Sequence, residues 1–380
     1  MSEALISFGA TTPGMAQVWS DKSTLGYALQ FEAALATAQG ACGLIGREAV
    51  ARVVQVCETI AVDPETLSQQ AALAGTLAIP LVQQIRDALP EDLRGAVHIG
   101  ATSQDLADTV MMLQVRDAAG LVGEDAARIC AALAPLARKQ ARTPAMGRTL
   151  LQDALPLGLG LRIAQWHAGI ATAADALDEA VRCHAVLQFG GAVGTRSGLD
   201  GKGDQVAHHL AETLGLPAAP PWHARRTGVA AIAASTAILV GAVGKMARDI
   251  GLLAQGGIAE MHEQQVEGRG GSSAMAHKRN PTGCQTALSA AARAPGLAAT
   301  VLAALPAEQE RGLGGWQAEW PILADLFQVT AAGLAAMADV AKGLEIDEAA
   351  IADNLDDEHA DIGESAALVE SLLSQVGRGN

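Results

Sequence analysis

The sequence predicts an all-α protein, an elongated bundle of long helices with smaller helical domains at its flanks. Alanine and leucine dominate a chain that is 50% hydrophobic yet only 3% aromatic, with one Tyr and four Phe. A core of such small side chains suits closely packed helices better than sheets. Apolar residues recur at three- and four-residue spacing over several runs of twenty or more residues, the period of a helix with one buried face. Strand signals are few: only Ala185–Gly194 and Val97–Gly100 read as extended.

From Ser20 to about Gly46 the pattern is helical. Two or three shorter helices follow to about Asp92, with Pro64, Pro80 and Pro90 marking breaks. Thr102 to Asp105 fit a capping box that opens a run from Leu106 to about Arg142. That run is about 55 Å of helix at 1.5 Å per residue, with a kink or a split expected at Pro135. Four further long helices are expected over Leu155–Ala185, Gly228–Ala259, Thr282–Ala304 and Trp316–Leu344. The domains then read as residues 1–100 (N-terminal helical), 101–344 (long-helix bundle) and 345–380 (short C-terminal helical segment). Polar, glycine-rich motifs fall in the loops between long helices, where a rigid scaffold carries its chemistry.

The net charge of −15, with no basic stripe, argues against nucleic acid. It still admits an anionic substrate, since a local Arg and Lys cluster can reverse the field in one cleft. Only 18% of residues are charged, which points to a surface covered partly by other subunits. Cys42, Cys57, Cys130, Cys183 and Cys284 are scattered without a CxxC pair, as free thiols in a reducing cytosol are. No signal peptide is read at the N-terminus, and no apolar stretch reaches membrane-spanning length without a polar or charged interruption. The expected setting is cytoplasmic, with no membrane partner.

Two segments concentrate chemistry. GRGGSSAMAHKRNPTGCQ, residues 268–285, sets a serine pair beside Lys278, Asn280 and the start of a helix. A serine alkoxide acts as a base only where cations and N–H dipoles stabilise it, and a Lys with a helix N-terminus supplies both. A structural loop is the competing reading; a phosphate loop lacks the G-x-x-x-x-G-K-[ST] pattern and a preceding strand. HIGATSQDLADT, His98 to Thr109, is satisfied as a helix start by its capping box, except for His98.

Gly271, Ser272, Ser273, Met275, Lys278, Asn280 and Pro281 resemble the GSSxMPxKxNP pattern of the fumarase/aspartase superfamily, with Ala276 departing from its proline. The resemblance implies Ser272 as the carbon-acid base and Lys278 and Asn280 as substrate-carboxylate ligands. The His98–Thr109 segment is similar to the family's H-x-G-x-T-S-x-D-x-x-D-T block. That similarity implies carboxylate contacts from Thr102 and Ser103, with His98 lining the site to orient the substrate or shuttle protons. In TPAMGRTLLQDALP (143–156), Leu150 stands where family members that expel amines or water generally carry a histidine, and cycloisomerase relatives often have a histidine at the position of Asp153.

VLQFGGAVGT (186–195), PWHARR (221–226) and EQERGLGGWQAEW (308–320) resemble the carboxymuconate cycloisomerases of that superfamily. Trp316 and Trp320 share this resemblance, with packing between helices as the alternative. Arg311, Arg226 and Arg148 are the candidate two-pronged carboxylate ligands. The implied protein is a homotetramer whose sites each draw on three subunits. It would need no cofactor and no metal, and it would close a small tricarboxylate, 3-carboxy-cis,cis-muconate, to its lactone in protocatechuate breakdown. Another superfamily lyase, such as an adenylosuccinate lyase, and a non-catalytic descendant are the competing readings. Thr227, where relatives often carry an acid, and the short C-terminal segment are further departures. Adjacent His208 and His209 diverge around a helix, His262–Glu263 lacks the second histidine of a zinc motif, and His167, His184 and His359 read as filler.

Overall fold

The computed structural model describes residues 9–271, 275, 278–355 and 360–375. Its first helices are short: α1 Pro13–Val18, α2 Asp21–Ala41, α3 Arg47–Thr59, α4 Pro64–Ala74 and α5 Ala78–Asp87. Local chemistry sets their ends. The Ser20 hydroxyl accepts from the Ser23 N–H, and Asp63 caps α4 through the Thr66 N–H. Pro64 opens α4, whereas Pro80 lies in the first turn of α5 and breaks nothing, because no intrahelical donor is needed there.

A bundle of long helices follows: α6 Ser103–Lys139, α7 Leu159–His184, α9 Thr227–Leu253, α10 Thr282–Ala303 and α11 Gly315–Lys342, with α8 Gly203–Leu214 between α7 and α9. Helix α6 runs through Pro135 without splitting. The helices α12 Glu348–Leu355 and α13 Ser365–Gln375 pack on the far end of the bundle. Buried side chains from Met15 to Val369 join in one core. Helices α9 and α11 are long and apolar enough to cross a membrane, but here they pack on each other, on α10 and on α6 or α7.

A hairpin fills the connection between the first two long helices and takes the first residues expected of the second. Strands β1 Pro144–Thr149 and β2 Gln152–Gly158 pair antiparallel, with a bulge between Met146 and Arg148. A Cβ on Gly147 would stand 2.3 Å from the Leu155 carbonyl oxygen, so only glycine fits there. A second, two-residue pair joins β3 Met261–His262 to β4 Glu345–Ile346. The first hairpin turns on Leu150 and Leu151, both at positive φ (53° and 64°) and 93% and 79% exposed. Two-residue turns with both φ positive favour Asn-Gly, because left-handed backbone strains other residues. The double change Leu150→Asn with Leu151→Gly is therefore expected to stabilise the chain by about 1–2 kcal/mol in urea unfolding. An unchanged midpoint would show that the tip stores no strain.

Candidate active site

The predicted site residues gather in two clusters, one at each end of the bundle. At the first end, Asp105 is fully buried at the start of α6. Its carboxylate accepts from the N–H groups of Thr102 (3.0 Å), Gly190 (2.9 Å) and Gly191 (2.8 Å) and from Gln188 Nε2 (2.9 Å). His223 Nε2 lies 2.8 Å from the same carboxylate. The stretch Ala185–Gly194, expected to be extended, is irregular and is thereby clamped to the helix start. Arg311, from the α10–α11 connection, donates through Nη2 to the Thr102 hydroxyl (2.8 Å) and to the Ala192 carbonyl (2.9 Å). Its Nε is buried without a partner. Thr102, Ser103 and Arg311 thus meet beside the first turn of a 37-residue helix, where backbone N–H groups favour an anion.

His98 joins this end through a strained turn at φ 64°. Its Nδ1 lies 2.6 Å from Glu32 Oε1 on α2. Burial opposes protonation of the ring, but the Glu32 carboxylate, helped by Asp105, outweighs it and raises the imidazole above its ordinary pKa. Sequence reasoning missed Glu32, although its acid lies on the same helical face as the buried Ala28 and Leu35.

Arg226 is not a substrate ligand in this arrangement. It is 1% exposed, gripped by Asp108 at 2.7 and 2.9 Å and by Glu319, with its guanidinium 4.8 Å from the Trp222 ring centroid. Four of its N–H donors are taken and no water reaches it, so it ties α6 to α11 instead. Burial and the adjacent Asp108 charge push the Glu319 carboxyl up despite Arg226, because two carboxylates share one cation. Of the two tryptophans, Trp320 donates to Gln114 Oε1 (2.8 Å) and packs on the core, while the Trp316 Nε1 is buried without a partner.

The second end carries the other motifs. Ser272, Ser273, Ala276 and His277 lie outside the described residues, as does His359. Lys278 and Asn280 border a small cavity of about 80 Å³ with His262, Glu263 and Arg269. The Asn280 N–H donates to the Gly270 carbonyl at 2.9 Å, which folds the glycine loop back on the start of α10. One expectation changes here. The second and third N–H groups of α10, Gly283 and Cys284, donate to the Glu263 carboxylate at 3.1 and 2.7 Å, so this helix end is already capped by an acid. Near this end Lys278 and Asn280 remain the polar side chains of the motif that border the cavity. No local signal in the sequence marks Glu263 as that cap.

Arg148, on β1, pairs with Asp153 (3.0 Å) and the buried Glu260 (2.6 Å). It lines a cavity of about 820 Å³ with Arg162, Lys245, Trp166 and Leu151. This places Arg148 at the hairpin end, away from Arg311 and Thr102. The 37 residues of α6 separate Thr102 from the hairpin by about 55 Å. Within one chain, Arg148 and the cluster of Thr102 and Arg311 are therefore too far apart to touch one small molecule.

Comparison with known proteins gives a consistent picture. The family described as Lyase matches residues 7–296. A 3-carboxy-cis,cis-muconate cycloisomerase of Bradyrhizobium diazoefficiens is 42% identical over 372 residues, 97% of this chain and 82% of that protein. Its counterpart in Pseudomonas putida is 39% identical, covering 94% and 85%. The crystal structure of the Pseudomonas putida 3-carboxy-cis,cis-muconate lactonizing enzyme superposes with a TM-score of 0.88 at 36% identity, over 99% of this chain and 88% of that one.

Proposed function

The chain belongs to the Lyase family of the fumarase/aspartase superfamily, and from that premise we propose that it is a cytoplasmic 3-carboxy-cis,cis-muconate cycloisomerase. One carboxylate of the substrate adds to a carbon of the conjugated diene while a proton is delivered to the neighbouring carbon, and the lactone closes. The observation that carries this reading is the hairpin tip, where two exposed leucines, Leu150 and Leu151, offer no proton donor. A lyase that expels an amine or water needs a proton donor for a strongly basic leaving group. A lactone opens onto a carboxylate, whose conjugate acid has a pKa of about 4, so the reaction needs no such donor in either direction.

In this reading Ser272 exchanges the carbon-bound proton. Lys278 and Asn280 bear the negative charge that develops on the adjacent carboxylate. Thr102, Ser103 and Arg311 hold another carboxylate at the start of α6, and His98 lies beside them. The two partial sites come together when copies of the chain pack with the ends of α6 opposed, as in a homotetramer.

Mixing the purified protein with 3-carboxy-cis,cis-muconate is expected to bleach the conjugated-diene absorbance and yield the lactone. No loss of that band from an intact oligomer would sink the assignment.

A further inference from the structure

Glu32 stands out as a buried acid with no role in the reading above. It lies within α2, fully removed from water, and its Oε2 has no partner. Its other oxygen meets only His98 Nδ1. An unpaired carboxylate in such a place is costly, so the imidazole is the group that neutralises it. The turn that presents His98 is pinned on both sides: Arg86 Nη2 donates to the Val97 carbonyl at 3.0 Å, and Gln39 Nε2 to the Ile99 carbonyl at 2.6 Å. Gln39 is seven residues, two turns, from Glu32 on the same helix, so α2 fixes both the backbone and the ring of His98. The ring keeps 13% of its surface open, and its Nε2 has no hydrogen-bond partner among the described residues.

We infer that Glu32 is a positioning residue that keeps His98 protonated on both nitrogens, so that the free Nε2–H is a cationic donor to a substrate carboxylate beside Thr102 and Arg311. This rests on the carboxylate-binding role proposed above for that end. The charged groups acting on the ring come from three elements: Glu32 on α2 and Asp105 on α6 favour the cation, and Arg86 on α5 opposes it. The neighbouring Cys57 thiol offers no alternative counter-charge, because burial with the Glu32 charge pushes it up to about 12. The sign follows. His98 is raised above its ordinary value, so the cation survives to higher pH than in a free imidazole and is lost as pH rises through the raised value. Substrate affinity should fall over that same range.

The test compares wild type with Glu32→Gln and Glu32→Asp. Glutamine keeps the shape of the buried side chain and removes the charge; aspartate keeps the charge and shortens the reach. Two readouts are needed: titration of His98 by NMR of ring-labelled histidine, assigned with His98→Gln, and kcat and KM on 3-carboxy-cis,cis-muconate between pH 6 and 9. Glu32→Gln is expected to move the His98 titration to lower pH. It should raise KM about tenfold at pH values between the two His98 titrations, as loss of one charged hydrogen bond does, while kcat stays within about threefold and the two proteins converge below the lower of the two. Glu32→Asp should restore part of both. A His98 titration that ignores Glu32 overturns the proposal, and so does one that moves while KM keeps the same pH dependence. Should wild type fail to turn over this substrate, the function proposed above falls, while the titration in the same sample still decides whether Glu32 charges His98.

Discussion

Replacing Arg226 with alanine is expected to cost about 3–5 kcal/mol of folding stability, because it leaves buried carboxylates without their cation. Asp108 and Glu319 are 2% and 0% exposed and share that one guanidinium. The loss should also depend on pH, with a definite sign. Without Arg226 the two acids bind protons more tightly in the folded chain than in the unfolded one, where their pKa values are about 4. Folded-state pKa values raised in this way mean that stability falls as pH rises from that value through the raised one. Urea unfolding at pH 5.5 and pH 8 should therefore show the larger penalty at pH 8, and adding Glu319→Gln should recover part of it. A loss under about 1 kcal/mol at both pH values would return Arg226 to the role its sequence block suggested, a mobile substrate ligand.

Mixing two inactive variants should restore activity. Ser272→Ala removes the proposed base, and Arg311→Ala removes the proposed carboxylate anchor beside the start of α6. Each homogeneous protein is expected to lose activity by orders of magnitude, about 10²–10⁴ for a general base. In a mixed assembly built at random from equal amounts, about a quarter of the sites would take an intact serine loop from one chain and an intact α6 start from another. Activity near a quarter of wild type after co-refolding, against none for the unmixed variants, is the expected result. No recovery in a verified mixed oligomer would mean that both residues serve one site from a single chain, against the separation along α6.

The long helices were legible because nothing competes with a 3.6-residue pattern sustained over twenty or more positions, as in α6, α9 and α11. The hairpin was not. Leu150 and Leu151 occupy left-handed backbone where Asn and Gly normally announce a turn, so 144–158 reads as the approach to a helix. In the site, Thr102, Ser103 and Arg311 came from local motifs and do lie together. Arg226 was misread because a sequence shows an arginine's reach but not what holds it; Asp108 and Glu319 lie 118 and 93 residues away. Glu32 left a trace, an acid on the buried face of α2. Glu263 left none, because its partner Gly283 lies twenty residues further along the chain.

The length of α6 would also decide when chemistry begins, if sites are shared between copies as proposed. Each newly made chain would then stay inert until it met others, and output at low expression should rise faster than the number of chains. A defective copy would in turn spoil sites belonging to its neighbours as well as its own.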